Sequence, residues 1–103
     1  MQDAVGPVLR MCEEVERVIQ SIVEDNPDKG VEIVESGAYV RVQAPGRMRV
    51  TLASLRRNVS PSFEMRQLEA MMPAFAGRIA TTSDEVTWSL SSEGDVPGTR
   101  GGA

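Results

Sequence analysis

The chain reads as a small α+β protein, with helices covering mostly antiparallel strands in the order β-α-β-β-β-α-α-β-β. Three observations predict this class. Val15, Val18, Ile19, Ile22 and Val23 fall at i, i+3, i+4, i+7 and i+8, the single apolar stripe of an amphipathic helix. Arg47 to Leu52 alternates with a period of two, Met48, Val50 and Leu52 facing one way and Arg47, Arg49 and Thr51 the other. Turn signals at Ser36-Gly37 and Ala44-Pro45-Gly46 divide the region before that strand into hairpin lengths. A length of 103 residues allows one domain with one modest core.

The elements follow in order. Val5 to Leu9 is a short apolar run broken by Gly6-Pro7, and its proline predicts an edge strand, because proline has no N–H for a ladder. Cys12 to Asp25 is the amphipathic helix, with Glu13, Glu14 and Glu16 in its first turns, where the helix dipole favours negative charge. Asn26-Pro27 stops it, since the residue before proline is pushed out of the helical region. Val31 to Glu35 and Ala38 to Gln43 pair as a hairpin, and Arg47 to Leu52 adds a third strand. Leu52, Leu55 and Val59 predict a short helix ending near Ser60-Pro61. Met65, Leu68, Met72 and Phe75 predict another that Pro73 closes or bends. Arg78 to Thr81 and Val86 to Leu90 form a last hairpin around Ser83-Asp84, with Trp88 facing inward. Residues 1–90 are read as the domain. Residues 91–103, Gly-rich and nearly free of large apolar side chains, are read as a flexible tail.

Composition excludes most chemistry. There is no histidine, which removes the usual general base and the commonest metal ligand together. The single cysteine, Cys12, precludes an intrachain disulfide and is followed by two acids, an unfavourable setting for a reactive thiolate. It reads as a small apolar residue at a helix start. Zinc and iron–sulfur spacings are absent, as are GxGxxG and GxxxxGK phosphate cradles. Adjacent acids such as Glu13-Glu14 and Asp84-Glu85 read as solvated surface. No apolar signal-peptide core and no membrane-length apolar run is present, so a soluble cytoplasmic protein is expected.

Charge is uneven along the chain. Asp3 to Glu35 holds nine acids and three bases; Ser36 to Thr81 holds two acids and seven bases. Either the molecule presents one acidic and one basic face, or the blocks mix in space. A nucleic-acid reading follows from the basic block: Tyr39 with Arg41, Arg47 and Arg49 could line one sheet face and bind single-stranded RNA. Against it, such a sheet needs two or three stacking aromatics and a basic domain, whereas here Tyr39 stands alone and the net charge is −4. No nucleic acid and no membrane is therefore expected as partner. Among the methionines, Met65 and Met72 read as core, and Met71 as the better surface candidate.

Several strings occur together in order: Val5-Gly6-Pro7-Val8-Leu9-Arg10; a helix ending in Glu24-Asp25-Asn26-Pro27; Tyr39-Val40-Arg41-Val42; and Phe63-Glu64-Met65-Arg66-Gln67-Leu68-Glu69 followed by Phe75-Ala76-Gly77-Arg78-Ile79. The ordered set resembles the coupling, or effector, proteins of soluble multicomponent diiron monooxygenases, which serve alkene, toluene, phenol and methane oxidising systems. The resemblance spans Val5 to Leu90. It implies a domain with two small antiparallel sheets covered by helices, and no cofactor of its own, the diiron centre lying in the partner hydroxylase. It further implies a non-catalytic protein, monomeric when free, that docks on the hydroxylase and couples electron delivery to oxygen activation. The contributors to docking expected on this basis are Asn26, Pro27, Arg47, Arg49, Met71 and Phe75. Two positions depart from the family pattern: Glu64 stands where a shorter capping side chain is usual, and Pro73 interrupts a helix usually continuous.

Overall fold

The computed structural model describes residues 3–90. Ten elements follow one another: β1 (Ala4–Arg10), α1 (Val15–Asp25), β2 (Glu32–Ser36), β3 (Tyr39–Pro45), β4 (Arg47–Thr51), α2 (Leu52–Asn58), α3 (Met65–Ala70), β5 (Ala74–Ala76), β6 (Arg78–Thr81) and β7 (Glu85–Ser89). They build two antiparallel sheets, one ordered β2-β3-β1-β5 and the other β4-β7-β6. This is the expected α+β class with one strand more than the sequence predicts. The tail expected over residues 91–103 lies outside the described residues.

Alternation decides which side of each strand enters the core. In β3, Val40, Val42 and Ala44 are buried while Tyr39 and Arg41 between them are exposed; in β4, Met48 and Val50 are buried between exposed Arg47 and Arg49. Between the two strands stands only Gly46, with φ of +81°, so the chain leaves one sheet and enters the other in a single residue. A side chain there would be held in the left-handed region that glycine tolerates. The buried faces of both sheets meet α1 through Val15, Val18 and Ile22, and α2 and α3 through Leu55 and Leu68, in one continuous core around the fully buried Trp88. Each fully buried aliphatic side chain contributes about 1.5–3 kcal/mol relative to exposure.

Four expectations are corrected. First, β1 is not an edge strand but lies between β3 and β5. Its pairing with β3 runs through Val5 and resumes at Val8, leaving Gly6 and Pro7 out of that ladder, so the missing proline N–H is accommodated inside a sheet. At Gly6, with φ of +138°, an added Cβ would overlap the Val42 carbonyl oxygen and lie 2.9 Å from Met48 Sδ. The two sheets approach each other there, and only glycine fits. Second, α1 begins at Val15 rather than Cys12, because Glu14 occupies the cap position and Cys12 is an exposed residue of the preceding turn. Third, Phe75 belongs to no helix. The helix ends at Ala70, ahead of Pro73, and Ala74–Ala76 pairs with β1 as an added strand. Fourth, Met71 is not a surface residue: it caps α3 and is only 9% exposed, more buried than Met65 or Met72.

The departures at Glu64 and Pro73 have local answers. The Glu64 N–H donates to the Gln67 side-chain oxygen at 2.8 Å, so the helix start is closed from its third residue rather than by a short cap. Pro73 falls beyond the helix end and costs it nothing.

Candidate docking surface

The C-terminus of α1 is fastened to the free edge of β4 by two adjacent side chains. The buried Asn26 carboxamide donates from Nδ2 to the carbonyl oxygens of Ile22 and Arg49, both at 2.6 Å, and its Oδ1 accepts the Arg49 N–H at 3.0 Å. Asn26 thereby substitutes for a missing neighbouring strand along β4. The Asp25 carboxylate accepts the Thr51 N–H at 2.8 Å and the Ser54 hydroxyl at 2.7 Å. Thr51 in turn caps α2, accepting the Ser54 N–H. The Asp25-Asn26-Pro27 string is thus a junction of three elements, not only a helix stop.

On this frame stand the two arginines of β4. Arg47 and Arg49 are exposed on the outer face of the three-stranded sheet, opposite Ser89 and Thr87. Arg49 lies 3.9 Å from Glu85, a loose and exposed pair. A shallow depression of about 210 Å³ gathers Asn26, Arg47 and Arg49 with Asp25, Lys29 and Met48. Pro27, exposed, follows directly. Three of the six residues expected to contribute to docking therefore line one depression, and Pro27 adjoins it. The other two do not join them. Met71 borders a separate, more apolar depression with Met11, Cys12, Phe63 and Ala70. Phe75, 43% exposed, lies on the edge strand β5 of the other sheet.

The structure also separates residues that the RNA reading needs on one face. Arg41 belongs to the four-stranded sheet, and Arg47 and Arg49 to the three-stranded one. Tyr39 and Arg41 instead share the outer face of β3 with Arg10 and Val8 of β1, across the register Tyr39↔Arg10 and Arg41↔Val8. Sequence reasoning passed over Arg10 and Val8 because alternation shows which residues of one strand share a face, but not which strand lies beside it.

Near α1, the Glu24 carboxyl is held below the ordinary carboxylate range by the Asn58 amide, then by the Arg57 guanidinium and the Gln20 amide. These contacts tie α1 to α2 on the surface. Among the described residues no group of three or more histidine, cysteine, aspartate or glutamate side chains is placed to hold a metal ion. No helix among them is long and apolar enough to cross a membrane.

Known proteins share this arrangement. The chain superposes on a chain of a phenol hydroxylase–regulatory protein complex with a TM-score of 0.76 at 18% identity, covering 85% of this chain and 99% of that one. A second structure of such a complex gives 0.72 at 17% identity, covering 84% and 99%. These two likenesses establish the fold. In sequence, the effector subunit of the alkene monooxygenase system of Xanthobacter autotrophicus (strain ATCC BAA-1158 / Py2) is 36% identical over 87 residues, which is 84% of this chain and 86% of that protein. Residues 3–89 match the model of the MmoB/DmpM family, and the chain belongs to that family.

Proposed function

We propose that this chain is the effector, or coupling, subunit of a multicomponent monooxygenase, a non-catalytic protein that docks on the hydroxylase component and tunes its active site. The observation that carries the reading is the likeness to the alkene monooxygenase effector subunit across nearly the whole of both chains. The physical logic agrees. A protein acts on another's catalysis, without chemistry of its own, by binding one conformation of it more tightly than another. A difference of ~1–3 kcal/mol shifts that equilibrium roughly 5–150-fold. On this reading the diiron centre belongs to the hydroxylase, the chain carries no cofactor, and it works as a monomer in the cytoplasm beside its partner.

The six expected contributors then divide by role. Arg47, Arg49, Pro27 and Phe75 are exposed and supply direct contacts. Asn26 acts from inside, by holding the β4 edge that carries the arginines. Met71 supports the turn into β5, its carbonyl accepting the Arg10 N–H at 2.8 Å.

Adding the chain to its hydroxylase and reductase should raise the rate of product formation until the hydroxylase is saturated. An unchanged rate at every ratio contradicts the reading.

A further inference from the structure

We propose that the outer face of the four-stranded sheet, centred on Arg10, Tyr39 and Arg41, is a docking surface for a carboxylate-bearing patch of the hydroxylase. The proposal rests on the effector reading and extends it to residues outside the six named above.

The strand register defines the face. Directly opposed residues of an antiparallel pair lie on the same side of the sheet. One row runs Val34, Arg41, Val8, Ala74 across all four strands, and the next runs Ser36, Tyr39, Arg10 across three. The residues alternating with them, Val40, Val42 and Leu9, are buried in the core, so these two rows point away from it. Among the described residues no helix covers them: Val34 is 48% exposed and Tyr39 41%. The face therefore leaves a tyrosine and a valine in water and a second valine, Val8, partly so, a cost the fold itself does not require.

Its charges are also unanswered. Arg49, Arg57 and Arg66 each lie against a carboxylate, whereas neither Arg10 nor Arg41 has a side-chain hydrogen bond or ion pair among the described residues. The two rows contain no lysine and no acid; the next row of the same face places Glu32 opposite Gln43, with no ion pair to Arg41. Exposed tyrosine and arginine among aliphatic side chains, with Glu32 only at the margin, is the composition of an interface centre inside a more polar rim.

The same features select the occupant. Covering this face removes two guanidinium groups from water, and carboxylates opposite them are what offsets that loss. An apolar patch would strand both charges. A two-fold pairing of this chain through the same face would set two arginines per copy against one acid, Glu32 at the margin, and leave positive charge in excess. Single-stranded RNA would have one stacking aromatic, Tyr39, where two or three are needed. Strands ~4.8 Å apart give this face roughly 300–400 Å², about half of the ~800 Å² that each partner contributes to an ordinary interface. It is thus the centre of a larger footprint.

The test measures the dissociation constant of the full chain for its hydroxylase at two salt concentrations. The variants are the double Arg10→Gln/Arg41→Gln, the single Tyr39→Ala, and the control Arg66→Gln on α3. The double variant should bind roughly tenfold or more weakly and with a shallower salt dependence, while its thermal midpoint stays at the wild-type value. Tyr39→Ala should weaken binding by a similar factor, and Arg66→Gln by less than about twofold. Wild-type binding that the double variant matches within about twofold overturns the proposal and leaves the effector reading standing. If the wild-type chain does not bind the hydroxylase at all, both fail. Self-association of the chain, or its salt-dependent binding to single-stranded RNA, lost in Tyr39→Ala would reassign the face and overturn the proposal.

Discussion

Asn26 is a buried polar side chain that joins a helix end to a strand edge. One carboxamide pairs the Arg49 N–H and carbonyl at the edge of β4 and the Ile22 carbonyl near the end of α1. Asn26→Ala removes all three partners at once and should cost about 2–4 kcal/mol in chemical denaturation. Asn26→Asp, close in shape, should also destabilise, because its carboxylate would face the Ile22 and Arg49 carbonyl oxygens with no proton to donate. Glu24 makes the opposite kind of contribution, exposed and dependent on charge. Its folded pKa is lowered, so the folded protein binds fewer protons at this group than the unfolded chain. Its stabilisation is present above the ordinary carboxylate value of 4.5 and is lost as pH falls through the lowered folded value. Denaturation midpoints followed from neutral pH into this acid range should therefore fall less steeply in Glu24→Gln than in the wild type. The sequence shows Asn26-Pro27 as a helix stop. The bonding partner of Asn26 lies 23 residues away, a separation that no local pattern reports.

The elements that sequence reading recovers are those whose burial is periodic. Helix α1 and strand β4 each have one face in the core, so their apolar spacing repeats and can be read. Strand β5 is three residues, Ala74–Ala76, two of them exposed, and too short to show a period. The interior position of β1 was hidden for a related reason: proline argues for an edge, and the skipped register at Gly6-Pro7 that overrides it exists only once β3 is beside it. The glycines test this account. Gly77, with φ of +92°, would place a Cβ 2.6 Å from the Ser89 carbonyl oxygen and 2.7 Å from Val5 Cγ1, and Gly6 is equally crowded. Gly37, with φ of +65°, has nothing within 4 Å. Gly37→Ala should therefore cost only ~1 kcal/mol, for its left-handed backbone. Gly6→Ala and Gly77→Ala should cost more than about 3 kcal/mol or prevent folding, since backbone atoms must move. Denaturation of the three variants compares them directly.

At the scale of the molecule, the two sheets and three helices share one core with Trp88 at its centre, so the domain should unfold as a unit. Trp88 is the chain's single tryptophan, and its emission should shift to the red at the same denaturant concentration at which the far-ultraviolet dichroism is lost. A domain organised in this way offers the outer faces of both sheets to a partner. On one sheet those faces present Arg47 and Arg49, and on the other Arg10, Tyr39 and Arg41. The basic block visible in the sequence is thus divided between two surfaces, because the chain changes sheet at Gly46.

The central claim is that docking alone changes what the hydroxylase does with its electrons. The direct measurement is the amount of product formed per NADH consumed, in a mixture of hydroxylase and reductase titrated with this chain. The account predicts a ratio that rises with added chain and levels off when the hydroxylase sites are filled. A ratio that stays flat across the titration, while the chain is bound to the hydroxylase, would contradict it.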